Sequence, residues 1–254
     1  MPEHLYTREF YGLQQEGSLR SARRVLRLVC DLINPSSVVD VGCGVGTWLR
    51  AAKEYGVKSV LGIDGDYVDR NQLMISSEDF LAHDLNDPIE LGRTFDMAIC
   101  LEVAEHLPAN CASSLVHSLV DLAPVVLFSA AIPSQGGTNH LNEQWPDYWQ
   151  DLFAPHGYRF CDPFRLVLWN DPDVEWWYAQ NTFLIASDSA LDSYDGLVPS
   201  SSLPKLIHPK LWMERVKETE LHKSEVAHLR SGRGIGMRAL IHALPSALWR
   251  SIFR

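Results

Sequence analysis

Short apolar runs alternate with amphipathic segments along residues 1–187. Seven runs bounded by turn residues are predicted strands, at 37–42, 58–64, 79–85, 95–102, 123–132, 158–169 and 179–187. Apolar residues at helical spacing predict helices at 18–33, 47–56 and 109–122. Because strands that alternate with helices form βαβ units, this pattern predicts an α/β fold with a mostly parallel sheet and helices on both faces.

The pattern changes after Ser187. Residues 188–208 are rich in Ser, Asp, Gly and Pro, which is typical of a linker. Residues 209–254 predict a helical C-terminal extension, with a helix over 209–230 that opens with proline and a basic amphipathic segment over 237–254. We therefore expect one domain at 1–187, a linker and a basic extension.

The segment 237–254 has two interpretations. An apolar face flanked by arginines suits a helix that lies on an anionic membrane surface or against a partner protein. Packing on the chain's own body, or pairing in a homodimer, is the simpler interpretation. Binding to a membrane surface would make the protein peripheral to the membrane.

Charge and cysteine content narrow the class of protein. Residues 205–254 carry ten Lys and Arg against four Asp and Glu, whereas residues 1–204 carry 12 against 28. Such an acidic body is unsuited to nucleic acid, because affinity for a polyphosphate comes largely from Lys and Arg. The five cysteines form no CxxC pair, which favours a reducing compartment, the cytoplasm by default. No signal peptide and no run of eighteen apolar residues is seen.

A glycine-rich turn follows the first predicted strand. Gly42, Gly44 and Gly46 stand between a strand and a helix, where backbone can approach a ligand closely. A dinucleotide fingerprint has a third glycine where this chain has Thr47, so the spacing argues against a dehydrogenase. The turn predicts a site for a nucleotide-like ligand.

Acidic residues follow three further strands. Asp64 ends the second strand, Asp84 follows the third and Glu102 ends the fourth. Each alone is most simply a helix cap or a solvated turn. Since the carboxyl ends of parallel strands meet at one edge of a sheet, together they predict a single binding crevice.

The stretches VVDVGCGVGTW, LGIDGDY, AHDL and LEVAEHL resemble the successive motifs of class I S-adenosylmethionine-dependent methyltransferases, over roughly residues 18–187. The resemblance implies a Rossmann-like seven-stranded sheet with an antiparallel last strand, and S-adenosylmethionine as the cofactor. It places the methionine part of the cofactor against Asp40, Gly42, Cys43 and Gly44, the ribose against Asp64 and Gly65, the adenine against His83, Asp84 and Leu85, and the floor of the pocket at Glu102 and Val103.

Two histidines are candidates for a general base. Methyl transfer from a sulfonium needs alignment of the nucleophile, and a hydroxyl nucleophile also benefits from a base, whereas an amine needs only to be neutral. His140 is the preferred base, His106 is the alternative, and Glu143, three residues after His140, is a further catalytic candidate that could meet the substrate hydroxyl with it. These residues favour O-methylation of a saccharide or small polar metabolite. Methylation of nitrogen or a carboxylate, and a catalytically silent module that recruits partners, stay open as alternatives.

A metal site in the same segment is less favoured. Asn139, His140, Asn142 and Glu143 lie close together in the sequence, but only Glu143 among them is a carboxylate. Magnesium prefers carboxylates and water, so Mg²⁺ is an alternative and no metal is the preferred interpretation.

Aromatic and amide side chains predict where the acceptor molecule binds. Asn142 is expected to cap a helix that begins near Glu143, with Trp145 and Trp149 on one face, either in the core or beneath a sugar-like ring. Trp176 and Tyr178 share one side of segment 174–181 if that segment is a strand. Tyr11 belongs to an N-terminal segment that resembles a lid.

Overall fold

A computed structural model describes residues 8–230, with side-chain surroundings from residue 16 onwards. Its centre is a seven-stranded sheet in the order β3-β2-β1-β4-β5-β7-β6. The strands are β1 Ser37–Val41, β2 Ser59–Asp64, β3 Phe80–Ala82, β4 Met97–Leu101, β5 Val125–Ser129, β6 Tyr158–Cys161 and β7 Phe183–Ser187. The first five pair in parallel, and β7 lies antiparallel between β5 and β6. The predicted fold, including its antiparallel last strand, is confirmed.

Helices cover both faces of the sheet. The helices of this part of the chain are α1 Arg8–Ile33, α2 Thr47–Glu54, α3 Ala112–Leu122, α4 Pro146–Phe153, α5 Arg165–Leu168, α6 Trp176–Asn181 and α7 Asp188–Ser193, and a further helix, α8, spans Pro209–Arg230. Buried apolar residues of α1, α2 and α6 form one core with the sheet, and those of α3 and α4 form a second core on its other face. Strands covered on both faces read as continuous apolar runs, and for this reason the sequence revealed them.

The register of the sheet brings the functional candidates to one edge. Asp40 of β1 lies beside Gly62 of β2 and Ile99 of β4, and Asp64 is the last residue of β2. All five parallel strands therefore end at the edge where α/β sheets bind ligands.

Two segments differ from the predicted strands. The run 158–169 is a strand only as far as Cys161, because Pro163 follows, which has no N–H to donate to a ladder. It continues as α5, where the carboxylate of Asp162 accepts hydrogen bonds from the guanidinium of Arg165 at 2.7 and 2.9 Å.

Segment 174–181 is helix from Trp176 onwards, so the strand interpretation was wrong. The hydroxyl of Ser21 in α1 accepts a hydrogen bond from the backbone of Glu175 at 2.9 Å, and Tyr178 packs edge-on against Trp48 at 5.1 Å. Packing against α1 and α2 overrides the β-propensity of the aromatic residues.

The chain after β7 divides into two parts. It belongs to two compact units, Met1–His208 and Pro209–Arg254. In the first unit, segment 188–208 contains α7 and buries Ala190, Leu197 and His208. In the second, α8 covers residues 209–230 as expected, while segment 237–254 lies outside the described residues. No helix within residues 8–230 is long and apolar enough to cross a membrane.

Candidate active site

A cavity of about 870 Å³ opens at the carboxyl edge of the sheet. Its walls come from the segments that follow β1, β2, β3, β4 and β5. The lining residues are Gly42, Asp64, Gly65, Asp66, Tyr67, Ala82, His83, Asp84, Leu85, Asn86, Glu102, Val103, His106, Leu107 and Asn139. We call the part around Gly42, Asp64 and Gly65 the glycine-turn end, and the part around Glu102, His106 and Asn139 the histidine end.

Gly42 allows the glycine turn to approach the end of β4. Its φ is +82°, and a Cβ there would lie 2.3 Å from Cγ2 of Val103. Any other residue would therefore have to adopt a strained backbone and displace a neighbour. Cys43 and Gly44 belong to the same turn but are not among the residues that line the cavity. The backbone N–H of Cys43 donates to Ile63 O at 3.2 Å.

Asp40 lies behind the glycine turn with 2% of its surface exposed, and its Oδ2 has no hydrogen-bond partner among the described residues. Burial, with a smaller contribution from the charge of Asp64, raises the pKa of Asp40 well above its ordinary value. A buried carboxyl oxygen without a partner is costly unless a donor satisfies it. The site therefore fits a ligand that carries a cationic or N–H donor, such as the ammonium group of methionine.

Asp64 is held rigidly at the end of β2. Its Oδ2 accepts from the backbone N–H of Gly44, and its Oδ1 from that of Gly65, both at 2.7 Å. The hydroxyl of Tyr67 also donates to Oδ1. This phenol stands where ribose hydroxyls would bind, and the sequence did not single out Tyr67.

The walls after β3 include the predicted adenine residues. His83, Asp84 and Leu85 line the cavity together with Asn86. The backbone N–H of Asn86 donates to Oδ1 of Asp84 at 3.0 Å and its side-chain amide at 2.7 Å, and both lower the pKa of Asp84. The Asp84 side chain thus orders its own turn as well as bordering the cavity.

Glu102 is the centre of a buried polar network at the histidine end. Its carboxylate accepts hydrogen bonds from Gln135 Nε2 at 3.0 Å and Asn181 Nδ2 at 3.1 Å. Gln180 Nε2 in turn donates to Gln135 Oε1 at 3.1 Å. Burial raises the pKa of Glu102, and these bonds and the nearby His140 oppose the rise. The backbone of Glu102 has φ +55°, which is unfavourable for a residue other than glycine, so the surrounding structure must hold this backbone conformation in place.

Two imidazoles meet at this end of the cavity. The rings of His106 and His140 are 4.8 Å apart and perpendicular, and His106 lines the cavity while His140 lies behind it. His140 Nδ1 lies 2.8 Å from Glu143 Oε1, and the backbone N–H groups of Ser134 and Gly136 donate to Glu143 at 2.7 Å. The proton of His140 is therefore assigned to Nδ1, which leaves Nε2 with a lone pair.

Glu105 lies beside the two imidazoles and is fully buried. Burial, followed by the charge of Glu102, raises its pKa to about 9, although the backbone N–H groups of Glu105 and Ala131 favour the charged form. Partial burial, followed by the charge of His140, lowers the pKa of His106, which favours the neutral form that can accept a proton.

A family described as "Methyltransferase domain" matches residues 13–172, more than half of the chain. This span contains the whole cavity described above. The chain belongs to the class I S-adenosylmethionine-dependent methyltransferases.

Individual relatives of this methyltransferase are distant. Ribosomal protein L11 methyltransferase of Salmonella newport (strain SL254) is 27% identical over 143 residues, 56% of this chain and 43% of the relative. The chain thus spans less than half the length of that curated relative. Among solved structures, DesVI of Streptomyces venezuelae has a TM-score of 0.53 at 14% identity, over 70% of this chain and 95% of that one. TnmH has a TM-score of 0.51 at 14% identity, over 70% and 57%. These structures show the fold alone.

The predicted acceptor residues of the methyltransferase lie away from the cavity walls. Trp149 is 2% exposed and packs against Phe128 at 5.3 Å, so its ring belongs to the core. Trp145 is the residue that precedes α4, and its ring lies under the Lys205 ammonium at 5.6 Å. Tyr178 is buried in the other core against Trp48, as described above.

Asn142 does not cap α4, because the helix begins at Pro146 with Trp145 as its N-cap. Its backbone N–H donates instead to Glu105 O at 3.0 Å, and its side-chain oxygen accepts from Gln144 at 2.9 Å. Trp176 stacks against His208 at 6.3 Å. Tyr11 belongs to α1, but its side chain lies outside the described residues.

Several residues that the sequence did not single out complete the site. Asp66, Tyr67, Asn86 and Leu107 line the cavity, and Gln135 and Asn181 hold Glu102. Glu105 was visible within LEVAEHL, three residues after Glu102, but its burial is a property of the fold. Among these residues, only those that stand next to a recognised motif could have been identified from the sequence.

Proposed function

We propose that this methyltransferase transfers the methyl group of S-adenosylmethionine to a hydroxyl group of a saccharide or small polar metabolite. The observation that carries the proposal is the pair of imidazoles, His106 and His140, at one end of the cavity. The cofactor binds at the glycine-turn end, with its ammonium group at Asp40 and its ribose at Asp64.

A hydroxyl acceptor explains why a base is needed at the histidine end. An aliphatic hydroxyl is weakly acidic, whereas a neutral amine already has its lone pair. His106 reaches the cavity with a lowered pKa, and Glu143 fixes the ring of His140 behind it. This arrangement places a proton acceptor, His106, at the wall of the cavity.

The reaction is a single displacement. A lone pair of the acceptor oxygen forms the new bond to the methyl carbon, the bond from that carbon to sulfur breaks, and the hydroxyl proton passes to the imidazole pair. S-adenosylhomocysteine and the methyl ether leave. Alignment within a closed cavity contributes about 7–11 kcal/mol to such reactions.

Transfer of a labelled methyl group tests the proposal. The full chain is incubated with labelled S-adenosylmethionine and a panel of glycosides, polyols, amines, carboxylic acids and a ribosomal protein L11 substrate, the last because of the relative's name. We expect label in a hydroxyl compound. His106→Ala should lower turnover by about 10²–10⁴ with the affinity for S-adenosylhomocysteine unchanged, while the exposed His117→Ala serves as control. Label confined to amines, or full turnover by His106→Ala, would contradict the proposal.

Cellular location is a second part of the proposal. The five cysteines are free thiols, and three of them are buried. A chain with buried free thiols and no disulfide suits a reducing compartment, which supports the cytoplasm. Cell fractionation of the tagged full chain would test it, and recovery in an oxidising compartment would overturn it.

A further inference from the structure

Three potential metal ligands converge at the histidine end of the cavity. One ligand atom each from Glu105, His106 and His140 lies within 4.8 Å of the other two. Glu105 and His106 belong to a single turn of 3₁₀-helix after β4, and His140 to the loop between β5 and α4. The fold thus brings these three residues together from two separate segments, which distinguishes the cluster from exposed acidic residues that lie close together by chance.

Glu105 provides an independent reason to expect a ligand. Its side chain is fully buried, and neither carboxyl oxygen has a hydrogen-bond partner of good geometry among the described residues. Native structures satisfy nearly all buried polar groups, so an unpartnered carboxyl beside two imidazoles calls for a partner the protein itself does not supply.

The ligands are held in place by backbone hydrogen bonds. The carbonyl oxygen of Glu105 accepts from the N–H groups of Leu141 at 2.7 Å and Asn142 at 3.0 Å. The loop that carries His140 is therefore tied to the turn that carries Glu105 and His106. Such preorganisation lowers the cost of bringing three ligands together.

His140 has the surroundings of a metal-binding histidine. Its Nδ1 donates to Glu143, and metal-bound histidines almost always give their second ring N–H to a carboxylate or carbonyl. A Cβ placed on Gly137 would lie 2.2 Å from Nε2 of His140, so the imidazole packs closely against the backbone at this glycine. A larger residue at 137 would therefore displace the ring of His140.

We propose that Glu105, His106 and His140 bind one divalent first-row transition cation. Two imidazoles and one carboxylate favour such a cation over Mg²⁺, which prefers an all-oxygen shell. Three protein ligands leave coordination positions for water and for the acceptor hydroxyl.

This inference rests on the proposed function only in the use of the cation. With the cation bound, the imidazoles would serve as ligands in place of the role of base given to them above. Coordination would then lower the pKa of the acceptor hydroxyl, so that its proton could leave to water.

Metal binding by the full chain tests the proposal without any substrate. After removal of metals with a chelator, the protein is titrated with Co²⁺, followed by visible absorption, and with Mn²⁺, followed by electron paramagnetic resonance. We expect one site per chain, and we expect a hundredfold excess of Mg²⁺ to leave Mn²⁺ bound. Absence of a site in protein that binds S-adenosylhomocysteine, or displacement by equimolar Mg²⁺, would overturn the proposal.

Matched variants locate the site. Glu105→Gln and His140→Ala should each weaken Co²⁺ binding at least tenfold, and Gly137→Ala should do so with all three ligands retained. His117→Ala is the control, since this histidine is exposed on α3. Binding of S-adenosylhomocysteine reports that each variant is folded. Unchanged Co²⁺ affinity in all three variants would place any metal elsewhere and refute the site. Metal binding without methyl transfer to hydroxyls would uphold this proposal and refute the proposed function alone.

Discussion

The glycine-turn end of the cavity is assembled from neighbouring segments of chain, whereas the histidine end is assembled from distant ones. Asp64 is held by Gly44 and Gly65, both within about twenty residues. Glu102 is held by Asn181, 79 residues away. The first end is therefore largely encoded by local turns, and the second exists only once the sheet has closed around it.

The two ends also treat their carboxylates differently. Backbone N–H groups stabilise the charge of Asp64, which suits a group that binds ribose hydroxyls. Glu105 is buried and Glu102 lies partly buried close to it, and desolvation raises the pKa of both. Functional sites are where such perturbed groups cluster. The comparison suggests that one end holds the cofactor while the other carries out the chemistry.

The largest expected effect is at the glycine-turn end. Asp64→Ala removes a charged acceptor of ribose hydroxyls, and since hydrogen bonds to charged groups contribute about 1.5–3 kcal/mol each, affinity for S-adenosylhomocysteine should fall at least about 100-fold. Calorimetry of Asp64→Ala against the exposed Asp151→Ala measures this. Because the two ends of the cavity are separate, we expect Co²⁺ binding to be unchanged in both variants. Loss of Co²⁺ binding in Asp64→Ala would show that the two ends are not independent.

Asp40 should affect stability as well as binding. Because the pKa of Asp40 is raised in the folded protein, the free energy of unfolding is highest below the pKa of this group in the unfolded chain, which is near 4. It falls as the pH rises, since the buried carboxyl then has to lose its proton. Asp40→Asn removes this titration, so the ligand-free variant should be more stable than the parent chain by about 1 kcal/mol or more at pH 8, and by less at pH 5. Denaturant unfolding at both pH values checks the sign, and S-adenosylhomocysteine should bind the variant more weakly. A variant less stable at pH 8 than at pH 5 relative to the parent would contradict the origin assigned to the shift.

Asn181 sharpens the comparison at the other end. Asn181→Ala removes one donor from the carboxylate of Glu102 and one bond to Gln135. Supporting residues of this kind typically change activity by 10–100-fold, so turnover should fall about tenfold while affinity for S-adenosylhomocysteine stays within twofold. Steady-state kinetics with the identified acceptor, at saturating cofactor, separates the two. An equal loss of cofactor affinity would show that the ends are coupled.

The smallest effect is expected at Tyr67. Its hydroxyl occupies Oδ1 of Asp64, so a ribose hydroxyl has to displace it. Tyr67→Phe removes this competitor, and a net hydrogen bond of about 0.5–1.5 kcal/mol corresponds to a 2- to 10-fold gain in affinity for S-adenosylhomocysteine. Calorimetry measures the affinity of Tyr67→Phe for S-adenosylhomocysteine. An affinity lower than that of the parent chain would mean that the phenol helps to hold the ligand.

The sequence predicted the fold and most of the glycine-turn end, for physical reasons. Strands buried on both faces leave continuous apolar runs, and close backbone approach at Gly42 requires glycine. Segment 174–181 was misread because its aromatic residues suit a strand in isolation, whereas contacts of Tyr178 with Trp48 fix a helix. Gln135 and Asn181, the partners of Glu102, lie in two separate segments, and nothing in their spacing predicts that they meet.

Position 102 also matters for anyone who would reshape this protein by directed evolution. Its backbone has φ +55°, a conformation that glycine adopts freely and a glutamate adopts at a cost of about 1–2 kcal/mol. A library screened for heat resistance alone would be drawn towards glycine there, and a library screened for methyl transfer towards glutamate. Enrichment at this single codon would therefore report which pressure a selection had applied.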